Sequence, residues 1–108
     1  MLLLAILAVA DMAGAPPRVF SVLSYGVGQT PCVTWLASDP LLKAKGESWV
    51  EGYWTGVNDS VPAFVAVGAS TDAAGVVAEV RKSCEATPKQ TLVEATSAVF
   101  IRMKAEGR

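Results

Sequence analysis

Apolar residues recur three and four positions apart along the second half of the chain, and this spacing predicts two amphipathic helices. One helix is expected from Thr71 or Asp72 to Cys84, and the other from Pro88 to about Ala105. The residues expected to face the core are Val76, Val77, Val80 and Cys84 on the first helix, and Leu92, Ala95, Thr96, Val99, Phe100 and Met103 on the second.

The last helix carries a start signal. Thr87 and Gln90 stand three positions apart around Pro88, as in a capping box, where the Thr side chain accepts a backbone hydrogen bond and the Gln side chain reaches back. Proline is favoured at the first helical position because it has no amide hydrogen to leave unpaired. We therefore expect the helix to begin at Pro88.

The first half of the chain predicts two shorter helices, at residues 31–37 and 47–58, with a further turn opening near Pro40. Gly52 and Gly56 lie four apart within the second of these, and each costs about 1 kcal/mol relative to alanine in a helix. Two such glycines on one face predict a smooth patch where another backbone crosses closely.

Four aromatic residues are candidates for the core or for a binding surface. Trp49 and Tyr53 share one helix face at a spacing of four, whereas Trp54 is adjacent to Tyr53 and cannot face inward with it. We expect Trp35, Trp49 and Tyr53 in the core, and Trp54 to be partly exposed.

Residues 59–70 form an apolar linker that admits three interpretations: a loop folded onto the core, a short strand, or an exposed recognition segment. The folded loop is favoured because apolar segments are usually buried. If the linker is exposed, Phe64 and Val65 form the candidate binding surface together with Trp54, since aromatic residues are common at the energetic centres of interfaces.

The first ten residues, MLLLAILAVA, have the pattern of a secretory signal peptide: an apolar run that ends in small residues. Residues 11–29 are interpreted as a partly flexible leader whose later part packs over the core, and residues 30–106 as the folded domain. A membrane anchor is the alternative, but it needs about 20 apolar residues, and Asp11 interrupts the run. The expected location is periplasmic or secreted.

The two cysteines, Cys32 and Cys84, are most simply a disulfide in an exported chain. The alternative is a pair of separate buried thiols. A bridge between them would close a loop of about 50 residues and stabilise the fold by roughly 4 kcal/mol in the chain-entropy model.

Composition excludes several classes of function. The 108 residues include nine basic and ten acidic side chains, net charge −1, with no basic stripe that could neutralise nucleic-acid phosphates. The chain has no histidine, which removes Ser-His-Asp and Cys-His catalysis and the usual zinc sites. We expect no metal and no cofactor.

One pair of carboxylates could still serve acid–base chemistry, because glycosidases need only two. Glu47 and Glu51 lie four apart on one predicted helix face, and the alternative is a solvated helix edge. The second interpretation is favoured, so the chain is not expected to be an enzyme.

The spacing of eight residues resembles a pattern found in a group of small exported helical proteins. This group includes the HdeA-type periplasmic acid-stress chaperones and the immunity proteins against amidase toxins of type VI secretion. The likeness covers roughly residues 28–106 and is carried by Cys32, Trp35, Trp49, Gly52, Gly56, Asn58, Cys84 and Pro88.

This resemblance implies an all-α bundle of four to five short helices, with the first and third helices joined by the disulfide. It also implies a binding function. We expect a non-catalytic module of the immunity or inhibitor kind, directed at a secreted cell-wall amidase toxin, or alternatively an acid-stress chaperone for unfolded clients. A second copy of the chain is a further candidate partner.

Overall fold

The computed structural model describes residues 24–108, and this part of the chain is all-helical. Its four α-helices are α1 (Cys32–Leu36), α2 (Pro40–Asp59), α3 (Ala73–Ala86) and α4 (Leu92–Ala105). Two short 3-10 turns, Gly26–Gln29 and Ala63–Val65, precede α1 and α3 respectively. No β-strand forms within residues 24–108, and the predicted all-α class is confirmed.

Side-chain caps fix where the two middle helices begin. The Asp39 carboxylate accepts a hydrogen bond from the Leu42 amide at 2.9 Å, and Pro40 occupies the first position of α2. The Asp72 carboxylate accepts one from the Gly75 amide at 2.8 Å at the start of α3. The turn expected near Pro40 and the helix predicted at 47–58 are therefore one continuous helix of 20 residues.

The predicted start of the last helix was wrong by four residues. The capping box consists of Thr91 and Glu94, whose side chain and backbone groups pair reciprocally, so α4 begins at Leu92. The Gln90 side chain donates instead to the backbone carbonyl of Ser83 at 3.0 Å, which holds the α3–α4 loop against α3.

The short helix α1 has no side-chain cap, and the α3–α4 loop satisfies its first amides instead. The amides of Cys32 and Val33 donate to the carbonyls of Gln90 and Pro88 at 2.7 and 3.0 Å. Because five residues cannot form a stable helix alone, α1 depends on this docking.

The disulfide lies at the centre of the core and joins α1 to α3. Cys32 and Cys84 are bonded, with their Cα atoms 5.1 Å apart, and both are fully buried. The expected bridge is thus present. The predicted core rows of the last two helices are also confirmed, because every one of their members is buried.

The core face of α2 differs from the predicted one by a shift of one residue. Gly46, Val50 and Trp54 are buried, whereas Trp49 and Tyr53 are only partly buried. Trp49 and Tyr53 pack against each other at the edge of the core, with ring centroids 5.6 Å apart. The prediction that they lie in the core was wrong, and Trp35 is fully buried as predicted.

The glycine prediction also fails for a geometric reason. Gly52 and Gly56 are exposed, and a methyl group added to either would meet nothing within 4 Å. The close approach occurs at Gly46, where a methyl group would lie 2.7 Å from Cδ1 of Trp35. Glycine is required at 46 because the indole of Trp35 lies directly over the backbone of α2.

The predicted signal peptide, residues 1–10, and the leader up to residue 23 lie outside the described residues. The described end of the leader contains the first 3-10 turn, which contacts α2 and α4. The carbonyl of Tyr25, the residue before the turn, accepts a hydrogen bond from Nε1 of Trp49 at 3.2 Å. Within residues 24–108, none of the helices combines the length and the apolar character that crossing a membrane requires.

Candidate functional site

The connection between α2 and α3, residues 60–72, is called the Phe64 loop here. At its tip the side chain of Phe64 is 89% exposed, the highest value among the large apolar residues of the described chain, and Val61 and Val65 beside it are 36% and 41% exposed. The folded-down conformation favoured from sequence is therefore wrong for residues 61–65. An apolar tip remains in water.

The base of the same loop is anchored in the protein by Val67, which is 5% exposed. The Asn58 side chain donates to the Val67 carbonyl at 2.8 Å and accepts from the Val67 amide at 2.9 Å. Nε1 of Trp54 donates to the same carbonyl at 2.8 Å. These three hydrogen bonds, called the Val67 clamp, fix the loop to the last turns of α2.

Trp54 is buried, whereas the sequence predicted that it is partly exposed. It is only 6% exposed, because its ring packs edge-on against Phe100 at a centroid distance of 4.8 Å. Phe64 and Val65 are exposed as that prediction required, so the structure separates the three residues. Trp54 holds the loop from below, and the other two face solvent.

Gly68, the residue after Val67, also fixes the base of the Phe64 loop. Gly68 has φ +93°, a conformation that L side chains rarely adopt, and its amide donates to the Arg108 carbonyl at 2.8 Å. A side chain at 68 would also approach Nε1 of Trp54, at 2.9 Å. The loop is thus held at its base from α2 and from the segment that follows α4.

A cleft of about 330 Å³ lies between this loop and α2. Trp54, Val67 and Val76 are buried residues that line it, and small residues form most of the remaining wall. The charged side chains that line the cleft are Glu51 and Asp72. The cleft and the exposed tip of the Phe64 loop are neighbours, because residues 66–69 of that loop form one wall.

The two carboxylates considered for catalysis have different surroundings. Glu47 forms an ion pair with Arg81 at 3.2 Å, while Glu51 is exposed and lines the cleft. An ion pair at the surface is an ordinary role for a helix-edge glutamate. Among residues 24–108, no group of three or more His, Cys, Asp or Glu side chains is placed to hold a metal ion.

The residue that sequence reasoning missed is Asn58. The sequence pattern places it at the end of the predicted helix 47–58 and in the resemblance, without a role of its own, although it lies four residues after Trp54 and hence on the same face of α2. An amide side chain can mimic a backbone group by donating and accepting at once. A helix-terminal Asn followed by an apolar loop is the signal that could have predicted the clamp.

Comparison with known proteins gives no match: no protein-family model, no curated protein and no solved structure is significantly similar to this chain. The likeness to the HdeA-type and amidase-immunity proteins therefore depends on the spaced residues described above.

Proposed function

We propose that this protein is an exported, non-catalytic module that binds another protein through the Phe64 loop, in the manner of an immunity or inhibitor protein. The observation that carries the proposal is an almost fully exposed phenyl ring on a loop whose base is clamped to the core. The disulfide supports export, because such bonds persist in oxidising compartments.

The energetics favour this loop as a binding element. Burying a Phe side chain is worth about 1.5–3 kcal/mol, and aromatic residues are enriched in the buried centre of interfaces. A clamped loop also loses little conformational freedom on binding, so more of that free energy appears as affinity. An exposed ring on an unanchored segment would lose more conformational freedom on binding and would therefore bind more weakly.

The proposed class of partner comes from the resemblance to the amidase-immunity proteins. Immunity proteins of this kind neutralise a secreted cell-wall amidase, and an exposed apolar tip on a loop with an anchored base suits contact with such a folded partner. The same surface would also fit another folded partner with an apolar pocket.

The alternative role, an acid-stress chaperone, requires unfolding or opening at low pH. The ion pairs within residues 24–108 involve partly exposed side chains, whereas the core is apolar and joined by the disulfide. Surface ion pairs contribute little stability, whereas the disulfide is a covalent bond that acid does not break. We therefore expect native far-ultraviolet circular dichroism at about pH 3 and no suppression of client aggregation there. Acid-induced exposure of apolar surface with client protection would favour the chaperone.

Affinity capture from an envelope extract tests the proposal with matched variants. The wild-type protein should retain one protein in stoichiometric amount, and Phe64→Ser should lose it. Leu41→Ser is the control, because Leu41 is also exposed, at 67%, but lies at the start of α2. Equal capture by the wild type and Phe64→Ser, or no stoichiometric protein at all, would contradict the proposed role.

A further inference from the structure

The cleft beside the Phe64 loop is lined by apolar residues and by two carboxylates, Glu51 and Asp72. Its floor is apolar, and its walls are small side chains that leave room near the backbone. A volume of about 330 Å³ is at the lower end for pockets that enclose small ligands, about 300–1,000 Å³. The cleft is therefore suited to one or two side chains of an extended segment.

The charged side chains that line this cleft, Glu51 and Asp72, are both acidic. A cation is close by, because the Arg108 carbonyl accepts a hydrogen bond from Gly68 in the cleft wall, but the Arg108 guanidinium pairs with Glu79 and Glu106. The ion pairs formed within residues 24–108 involve neither Glu51 nor Asp72. Although Asp72 caps α3 through one oxygen, a carboxylate has about four acceptor positions, so it can still bind a cation.

From this charge complementarity we infer that the cleft binds a polypeptide segment of the partner in which an apolar side chain is flanked by Lys or Arg. The inference rests on the proposed function and specifies its partner. The apolar side chain lies over Trp54 and Val76, and the neighbouring cation lies at Glu51 and Asp72. Phe64, on the adjacent tip, then contacts the partner outside the segment.

In this arrangement the apolar and the charged groups have different roles. Burial of apolar surface in the cleft and at Phe64 supplies affinity, while the carboxylates select a basic segment and raise the rate of association. Because these carboxylates are near the surface, their contribution falls as salt rises and the Debye length shortens. Binding of the segment is therefore weakened by salt.

A random heptapeptide library displayed on phage, selected on the disulfide-bonded protein, tests the inference. Enriched peptides should place Lys or Arg next to an apolar residue. Their affinity should fall about tenfold for Thr55→Trp, which fills the cleft from an exposed position of α2. Ser48→Trp, on the same helix outside the cleft, should bind as the wild type does.

A second pair of variants tests the charge. Glu51→Gln should weaken the selected peptides several-fold and reduce their salt dependence, while Glu85→Gln, exposed on α3, should not. Circular dichroism of each variant confirms that it folds.

Three outcomes would overturn the inference: no enrichment, enrichment of peptides without basic residues, or equal binding to Thr55→Trp and the wild type.

Failure of this inference can be distinguished from failure of the proposed function. If Phe64-dependent capture of the envelope protein persists in Thr55→Trp, the binding role stands and the cleft has no part in it. If peptides bind in the cleft but capture does not depend on Phe64, the loop proposal fails instead.

Discussion

Two glycines of α2 illustrate how strongly a single residue's surroundings decide its role. Gly46 lies under the buried indole of Trp35, whose Nε1 donates to the Lys43 carbonyl at 3.2 Å, whereas Gly52 faces open space. Both positions carry the same intrinsic cost of glycine in a helix. Only at Gly46 is that cost offset by close packing.

This contrast predicts opposite effects of the same substitution. Gly52→Ala should raise the free energy of unfolding by about 0.5–1 kcal/mol, because it gains helix propensity and meets no neighbour. Gly46→Ala should lower it by about 1–3 kcal/mol, because the methyl group displaces Trp35. Urea unfolding measures both values, and a stabilised Gly46→Ala variant would mean that α1 does not pack on α2 as described.

Asn58 contributes through two hydrogen bonds to one backbone unit. Asn58→Ala would leave the Val67 amide, which is largely buried, without its acceptor, and we expect a loss of about 1–3 kcal/mol. Hydrogen exchange at the Val67 amide should become faster, while Asp59→Ala, an exposed neighbour, should leave it unchanged. Unaltered exchange in Asn58→Ala would show that the clamp does not hold the loop.

At the scale of the elements, the sequence predicts α3 and α4 well because their apolar rows recur over several turns. It predicts α2 less well, since Trp49, Tyr53 and Val57 form a row as regular as the true one of Gly46, Val50 and Trp54. The choice between the two rows depends on contacts with Trp35 and Phe100, which are distant in sequence. Tertiary packing therefore decided which face was buried.

The candidate site was predictable only in part, for the same reason. Apolar residues in a loop do not reveal which of them faces inward. Val67 is buried because Asn58 and Trp54 hold its backbone, and Phe64, three residues earlier, is left at the tip. The sequence offers exposed Phe64 and Val65 only in the least folded of three interpretations of the linker, and it does not indicate the hydrogen bonds of Asn58 and Trp54 that hold Val67.

The start of α4 offers a prediction at this scale. Thr91→Ala should cost about 1 kcal/mol, because it removes the cap that accepts from the Glu94 amide. Thr87→Ala should be nearly neutral, since Thr87 is exposed and its carbonyl, which accepts from the Gln90 amide, remains. Thermal unfolding of the two variants distinguishes them, and a larger loss in Thr87→Ala would place the helix start at Pro88 after all.

For the whole molecule, the disulfide joins parts of the chain that are 52 residues apart. In the chain-entropy model, reduction should lower the free energy of unfolding by roughly 4 kcal/mol, a large share of the 5–15 kcal/mol typical of small domains. Urea unfolding with and without reductant measures the difference. The double variant Cys32→Ala with Cys84→Ala is the control and should not respond to reductant; a wild type equally unaffected would contradict the stabilising role of the bridge.

We propose that the tip of the Phe64 loop contacts a partner protein in the cell envelope. Placing a photo-reactive phenylalanine analogue at position 64, and in a control at position 41, measures that contact directly in living cells. We expect one discrete cross-linked protein from position 64 and none from position 41. No adduct at 64, or the same adducts at both positions, would contradict this proposal.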